Sequence, residues 1–276
     1  MVDPGVGLAA LGGATVSKDT ISRILGPTAD YIGDGVKTWT EKGVANVQRV
    51  FAKAEERLAG EIDRPGRVPP RVLKIILEEG QFANDELSAA YLGGVLASSR
   101  TEAGRDDRAV SMGHLVASLS TYALRTHYLL YRAVHRSEVG ANPQRWRMVE
   151  ETGGLRRFLA LTAYNQAMAF DGAELENLQG IVADTMLTLG RHRLVGEWLR
   201  GPPDFLSGHF GGRVFAGGGG IVAAPTQPGV LLFCAAHGVR TDPYVAFTTD
   251  QLDAALAEDV PQMDVPLVTE LPQVGD

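Results

Sequence analysis

Between Thr28 and Leu58 the apolar residues recur mostly at steps of three and four: Ala29, Ile32, Val36, Trp39, Val44, Val47, Val50, Phe51, Ala54 and Leu58. That spacing lines them along one stripe of an α-helix, which sharply narrows what the chain can fold into. It predicts a helix of about 32 residues, roughly 48 Å long at ~1.5 Å per residue. A small core cannot cover that length. The stripe is therefore expected to lie along several partners or to self-associate as a coiled coil, with Ile32, Val36, Trp39, Val47, Phe51 and Leu58 as its contact residues. Upstream, Ser17 reads as a helix N-cap, and Gly26-Pro27 should end or kink a first short piece, because proline disfavours helix in the residue before it.

The same reading continues down the chain. Gly60 stops the long helix, and Pro69-Pro70 starts another that ends at Gly80, since the first turn of a helix needs no amide donor. Asn84 is expected to cap the next, with Asp85 and Glu86 where the helix dipole favours negative charge. A long amphipathic helix is predicted from Ala109 to His135, then helices near 144–151, 154–170 and 173–189, the last capped by Asp171. Beyond "TLGRHRLVGEW" the texture changes. "RVFA" and "IVAA" are short β-prone runs joined by Gly217–Gly220, which predicts a hairpin with glycine at its tip. "TQPGVLLFCAAHG" reads as a closing helix between Thr226 as cap and Gly238 as stop.

The expected fold is mainly α: long N-terminal helices, a helical body, and a small winged-helix-like unit with a β-hairpin. The expected divisions are a flexible apolar N-terminus (1–16), a helical domain (17–135), a helical and winged-helix-like C-terminal domain (136–239) and an acidic tail (240–276) that is mobile past its one helix-like piece.

Charge is distributed unevenly. Of the formal net charge of −7, all is carried from Arg240 onward, so the body sums to zero and nothing demands a polyanion partner. Nine Lys/Arg against five acids between 37 and 74 make a local basic region, read as solvated helix faces. The single cysteine, Cys234, leaves no internal disulfide framework and fits a reducing, cytoplasmic setting. The opening "MVDPGVGLAALGGATV" is apolar but glycine-broken and too short to span a bilayer, so membrane association is not expected.

Motifs that would carry chemistry fail on spacing. A phosphate-cradling P-loop needs a lysine after its glycines, and no lysine follows Lys74. The six histidines show no pair four apart on one helical face, so no metal site is assigned. Cys234 and His237 could meet across one helical turn, yet their flanks are wholly apolar, where cysteine behaves as a small buried hydrophobe. Asp106 and Asp107 lie between Arg105 and Arg108, which reads as solvated ion pairs. A winged helix raises nucleic-acid recognition as the alternative reading, with Arg191, His192, Arg193 and Arg213 as the contacts. Four cationic positions would supply little phosphate affinity. No catalytic residue and no cofactor is assigned.

Several stretches together resemble a known family. "GPTADYIGDGV…W" (26–39), "ANVQRVFAKAEERL" (45–58), "VPPRVLKIILEEG" (68–80) and "NDELSAAYLGGVLASS" (84–99) are similar to the Abi-alpha family, bacterial proteins catalogued under abortive phage infection. "LGRHRLVGEW" and "GIVAAPTQPGVLLFCAA" resemble that family's C-terminal portion, so the likeness spans roughly 17–238. The stretch 136–172 and the acidic tail lie outside it. The resemblance implies a role in antiviral defence and brings no catalytic residues with it. The expectation is a sensor or effector acting through protein–protein assembly, as a homo-oligomer or with another defence-system protein.

Overall fold

The computed structural model describes residues 16–32, 39–147, 154–252 and 255–275. Among these it is mainly helical, with twelve helices and one three-stranded antiparallel sheet. Two units divide the chain. The first gathers Met1–Ser118, Cys234–Asp242 and Ala255–Ala257; the second gathers Leu119–Phe233, Pro243–Ala254 and Glu258–Asp276. The division falls at 118/119 and not at 135/136. The expected helix from Ala109 to His135 is two helices, α5 (Ala109–Ser118) and α6 (Thr121–Glu138), and Ser120 Oγ caps the second by accepting from the Ala123 amide at 3.2 Å.

In the first unit, α1 (Lys18–Leu25) is capped by Ser17, whose hydroxyl accepts from the Thr20 amide at 3.0 Å. Gly26, at φ 60°, and Pro27 end it, and a 3-10 turn runs over Gly26–Tyr31. The next helix, α2, covers only Glu41–Leu58, with the Thr40 hydroxyl as its cap. The single long helix over 28–58 is thus not formed. Nor is its stripe a surface for another copy: Ile32, Val47 and Phe51 are 0% exposed and Leu58 1%. Trp39 is half-buried in a bend before the Thr40 cap, and Val36 lies outside the described residues. A three-four stripe tells which face is covered and nothing about what covers it; here the unit's own helices do.

The chief cover is α4 (Glu86–Ser99), which packs on α2 and is followed through the unit by α5; α3 (Pro70–Gly80) packs on both. Apolar nearly all round, α4 buries residues on every side, as a central helix must. Its cap is Asp85 and not Asn84: Asp85 Oδ1 accepts from the Ser88 amide at 2.8 Å. Close packing requires glycine here. A Cβ on Gly93 would lie 2.7 Å from the Val50 carbonyl oxygen of α2, and one on Gly94 only 1.9 Å from the Ala236 carbonyl oxygen. Behind α4, the buried Arg100 donates to five carbonyls: Ile24 at 3.0 Å, Arg64 at 2.7 Å, Ile62 at 3.1 Å, Arg23 at 3.2 Å and Glu61 at 3.4 Å. That fork ties the end of α1 to the 61–64 loop and satisfies a buried cation with backbone dipoles.

The second unit is built round α6, whose buried face runs from Ala123 to Glu138. Tyr128 and Phe233 stack at 6.2 Å, Phe233 meets Phe247 edge-on at 5.8 Å, and Phe247 meets the fully buried Trp146 edge-on at 5.2 Å. After α6 come β1 (Arg157–Ala160), α7 (Leu161–Met168), α8 (Gly172–Glu176), α9 (Leu178–Arg191), β2 (Val195–Gly201), α10 (Pro203–His209), β3 (Gly220–Pro225), α11 (Gln227–Ala236) and α12 (Pro243–Phe247). The strand order is β1-β3-β2, all antiparallel, with Phe158 opposite Val222 and Leu199 opposite Val222. In chain order this is helix, strand, three helices, strand, helix, strand, with the last strand in the middle of the sheet.

The wing differs from the expected hairpin. Arg213 makes only an isolated bridge, to Gln273, and β3 pairs instead with β2 and β1. Both partners come from segments read as helix or helix end. A four-residue strand is too short for its periodicity to be told from a helix segment.

The acidic tail is also not loose. Val260, Met263, Val265 and Val268 are buried. The Phe158 amide donates to Pro266 at 3.0 Å and the Val268 amide to Arg156 at 2.9 Å, so residues 265–268 close the outer edge of β1. Asp259 pairs with Arg125 at 3.0 Å. Residues 1–15 lie outside the described ones, and Val16 is buried.

Candidate functional site

Alternation along β3 sends Val222 to one face of the sheet and its neighbours Ile221 and Ala223 to the other. On the Val222 face a small core closes: Phe158, Val222, Leu206 of α10, Phe215 and Val268 of the C-terminal segment. The wing therefore carries an added layer. Its glycines make this geometry. Gly217, Gly218 and Gly219 sit at φ 69°, 75° and 89°, which L side chains rarely adopt. A Cβ on Gly219 would lie 2.2 Å from the Gly201 carbonyl oxygen, and one on Gly220 2.1 Å from that of Leu159. The run is where the central strand enters between its two neighbours. It is not the tip of a 213–224 hairpin.

Between β2 and α10 a cleft of about 460 Å³ opens, lined by Arg156, Glu197, Trp198, Leu199, His209, Phe210 and Val222. A second cleft of about 340 Å³ shares Arg156 and Phe210 and extends to Arg213, Val268 and Gln273. Of its polar side chains, Arg156 and Glu197 pair with each other and His209 meets backbone. Arg156 Nη2 donates to Glu197 Oε2 at 2.6 Å. His209 Nδ1 lies 3.0 Å from the Phe205 carbonyl oxygen one turn back, with its ring against Phe205 at 4.4 Å. No nucleophile is set beside a base there. What the cleft presents is apolar and aromatic surface flanked by an ion pair, a lining suited to binding.

β2 itself is an edge. The outer side of β1 is taken by residues 265–268, whereas among the described residues no strand or bridge pairs with the outer side of β2. A bulge between Val195 and Trp198 turns that strand beside the cleft.

The four residues of the nucleic-acid reading are not brought together. Arg191 and Arg193 are exposed and His192 half-buried at the end of β2 that pairs with Pro225. The glycine-led end of the ribbon is six residues away, about 20 Å at ~3.3 Å per residue. Arg213 donates through Nη1 to the Leu271 carbonyl at 2.6 Å, holding the C-terminal segment. The helix that would enter a groove, α9, exposes Asp184 and Leu187, and the preceding turn carries Asp171, Glu174 and Glu176. That face offers phosphate little attraction.

Other sequence candidates are structural. Asp106 accepts from Arg108 Nε at 2.8 Å, and this guanidinium contact holds its carboxyl down at about 2. Asp107 pairs with Arg71 at 2.7 Å. Among the described residues no group of three or more His, Cys, Asp or Glu could hold a metal ion, and no helix is long and apolar enough to cross a membrane. Cys234 is 1% exposed, and burial, aided by the nearby Asp242 charge, pushes its thiol well above the usual cysteine range. The thiolate is the reactive species. A disulfide reagent such as Ellman's should accordingly leave the native protein untouched at pH 8 and react fully once urea unfolds it; rapid native labelling would contradict this burial.

A scan of family models finds no match to this chain, and searches of curated proteins and of solved structures find none.

Trp198, Phe210, Arg156 and Glu197 were not singled out by sequence. Their grouping depends on β1 and β2, neither of which is legible as a strand, although an aromatic between the charges of "GEWLRG" is the one local hint.

Proposed function

We propose that the chain is a cytoplasmic interaction protein of bacterial phage defence whose second unit holds a segment of a partner protein beside β2. The observation that carries the reading is an edge strand, unpaired on its outer side among the described residues, running along an aromatic cleft. An extended peptide added to such an edge gains main-chain hydrogen bonds, and its alternate side chains enter the adjoining cleft. Trp198 and Phe210 would anchor it, since buried aromatics supply most of the binding energy at interfaces. The defence role rests on the Abi-alpha resemblance over 26–99. The partner is another protein of the defence response or a second copy of this chain, meeting at this edge and not along the α2 stripe.

The test is phage plating on cells expressing the chain. The wild type is expected to lower plaque counts, and Trp198→Ala, Phe210→Ala or both to restore them by about tenfold or more, with far-UV circular dichroism unchanged. Full protection by well-folded variants would remove the cleft from the reading. Absence of protection by the wild type against a broad phage panel would remove the defence role.

A further inference from the structure

On the other side of β1 lies a separate cavity of about 570 Å³, between the last turns of α6 and the C-terminal segment. It is lined by Ala133, Arg136, Ser137, Arg157, Met263, Asp264, Val265 and Glu270 among others. Arg157 is 3% exposed, yet its guanidinium has few partners. Nη2 donates to Ser137 Oγ, Nη1 reaches the Val265 carbonyl at a long 3.4 Å, and Nε has no acceptor. The Glu138 and Glu270 carboxylates act on it through space but make no contact ion pair with it, and Glu138 accepts from Arg145 at 3.4 Å and from the Trp146 indole at 3.3 Å. A buried charge without an ion pair is costly, and five N–H donors on a rigid fork match an oxyanion. Arg136 stands beside it, held by Gln262 Oε1 at 2.7 Å and the Met263 carbonyl at 3.1 Å. Asp264 and Glu270 are exposed, at the rim.

We infer that this cavity binds a small molecule through one anionic head, a carboxylate or a phosphate, seated on Arg157 with Ser137 and Arg136 beside it. Its volume lies within the range of small-molecule sites. The rim carboxylates repel further negative charge, so a monoanionic head is selected over a polyanion, and an amino group next to the head is welcome. This site is independent of the β2 edge.

The experiment is calorimetric titration and thermal shift with acetate, glycine, inorganic phosphate and tripolyphosphate, at constant ionic strength made up with chloride. Saturable binding of acetate, glycine or phosphate is expected, weaker for tripolyphosphate, and which of the three binds best identifies the head. Arg157→Gln should weaken it by about tenfold or more. Should that variant fail to fold, Arg157→Lys keeps the charge, loses the fork and should still show the loss. Non-saturable effects equal to those of chloride, or affinity unchanged in either variant, would overturn the assignment.

Discussion

Replacing Gly94 by alanine should destabilise the first unit by about 3 kcal/mol or more, although alanine is the better helix former by about 1 kcal/mol. The added methyl would lie 1.9 Å from the Ala236 carbonyl oxygen and 2.6 Å from the Ala236 Cα. Those are backbone atoms, so no rotamer can relieve the overlap, and a whole segment must shift. Gly60→Ala is the control, because a Cβ there meets nothing within 4 Å. Urea unfolding followed by circular dichroism should show a markedly lower midpoint for the first variant and no loss for the second. Equal midpoints would mean that the 234–238 segment does not rest on α4 as described.

Acid should cost the second unit stability through His127. Its ring is fully buried against Tyr131 at 4.5 Å, with Nε2 3.1 Å from the Gly229 carbonyl oxygen. Burial depresses its pKa from the ordinary histidine value of 6.5 to about 3, only partly opposed by the Gly229 contact. The unfolded chain therefore takes up a proton below pH 6.5 that the folded chain refuses until about pH 3. Stability from this group is complete above the higher value and falls as pH drops through the window, by up to about 1.4 kcal/mol per unit. At pH 4.5 the loss is on the order of 3 kcal/mol relative to pH 7.5. His127→Gln, which can still donate to Gly229, should be nearly free of it. Comparing both proteins in urea at pH 7.5 and 4.5 cancels the titration of the shared surface carboxylates. An identical pH dependence in the two would place a charged, hydrated imidazole at 127.

Signals are legible where the chemistry is local. Ser17 caps α1; Asp171 caps a helix as expected, though α8 stops at Glu176 and α9 begins at Leu178; Pro70 opens α3. Thr226 accepts from the Gly229 amide at 3.2 Å at the head of α11, and Gly238 ends it at φ 75°. Each depends on one side chain and a backbone group within a turn, so spacing alone identifies it. The candidate cleft was not legible. Trp198, Phe210, Arg156 and Glu197 belong to three separate segments, and only the pairing of β1 and β2 with β3 assembles them.

The amino-acid order by itself determined that the chain is mainly helical, which faces are apolar, where most helices stop, and that the wing region leaves helix for strand. Tertiary structure alone decided what those faces meet: α4 and not a second copy for the α2 stripe, and β1 for the tail, despite its eight acidic residues. The reason is that periodicity and capping report interactions a few residues long. Apolar burial is non-directional and takes whichever partner the whole chain brings within reach.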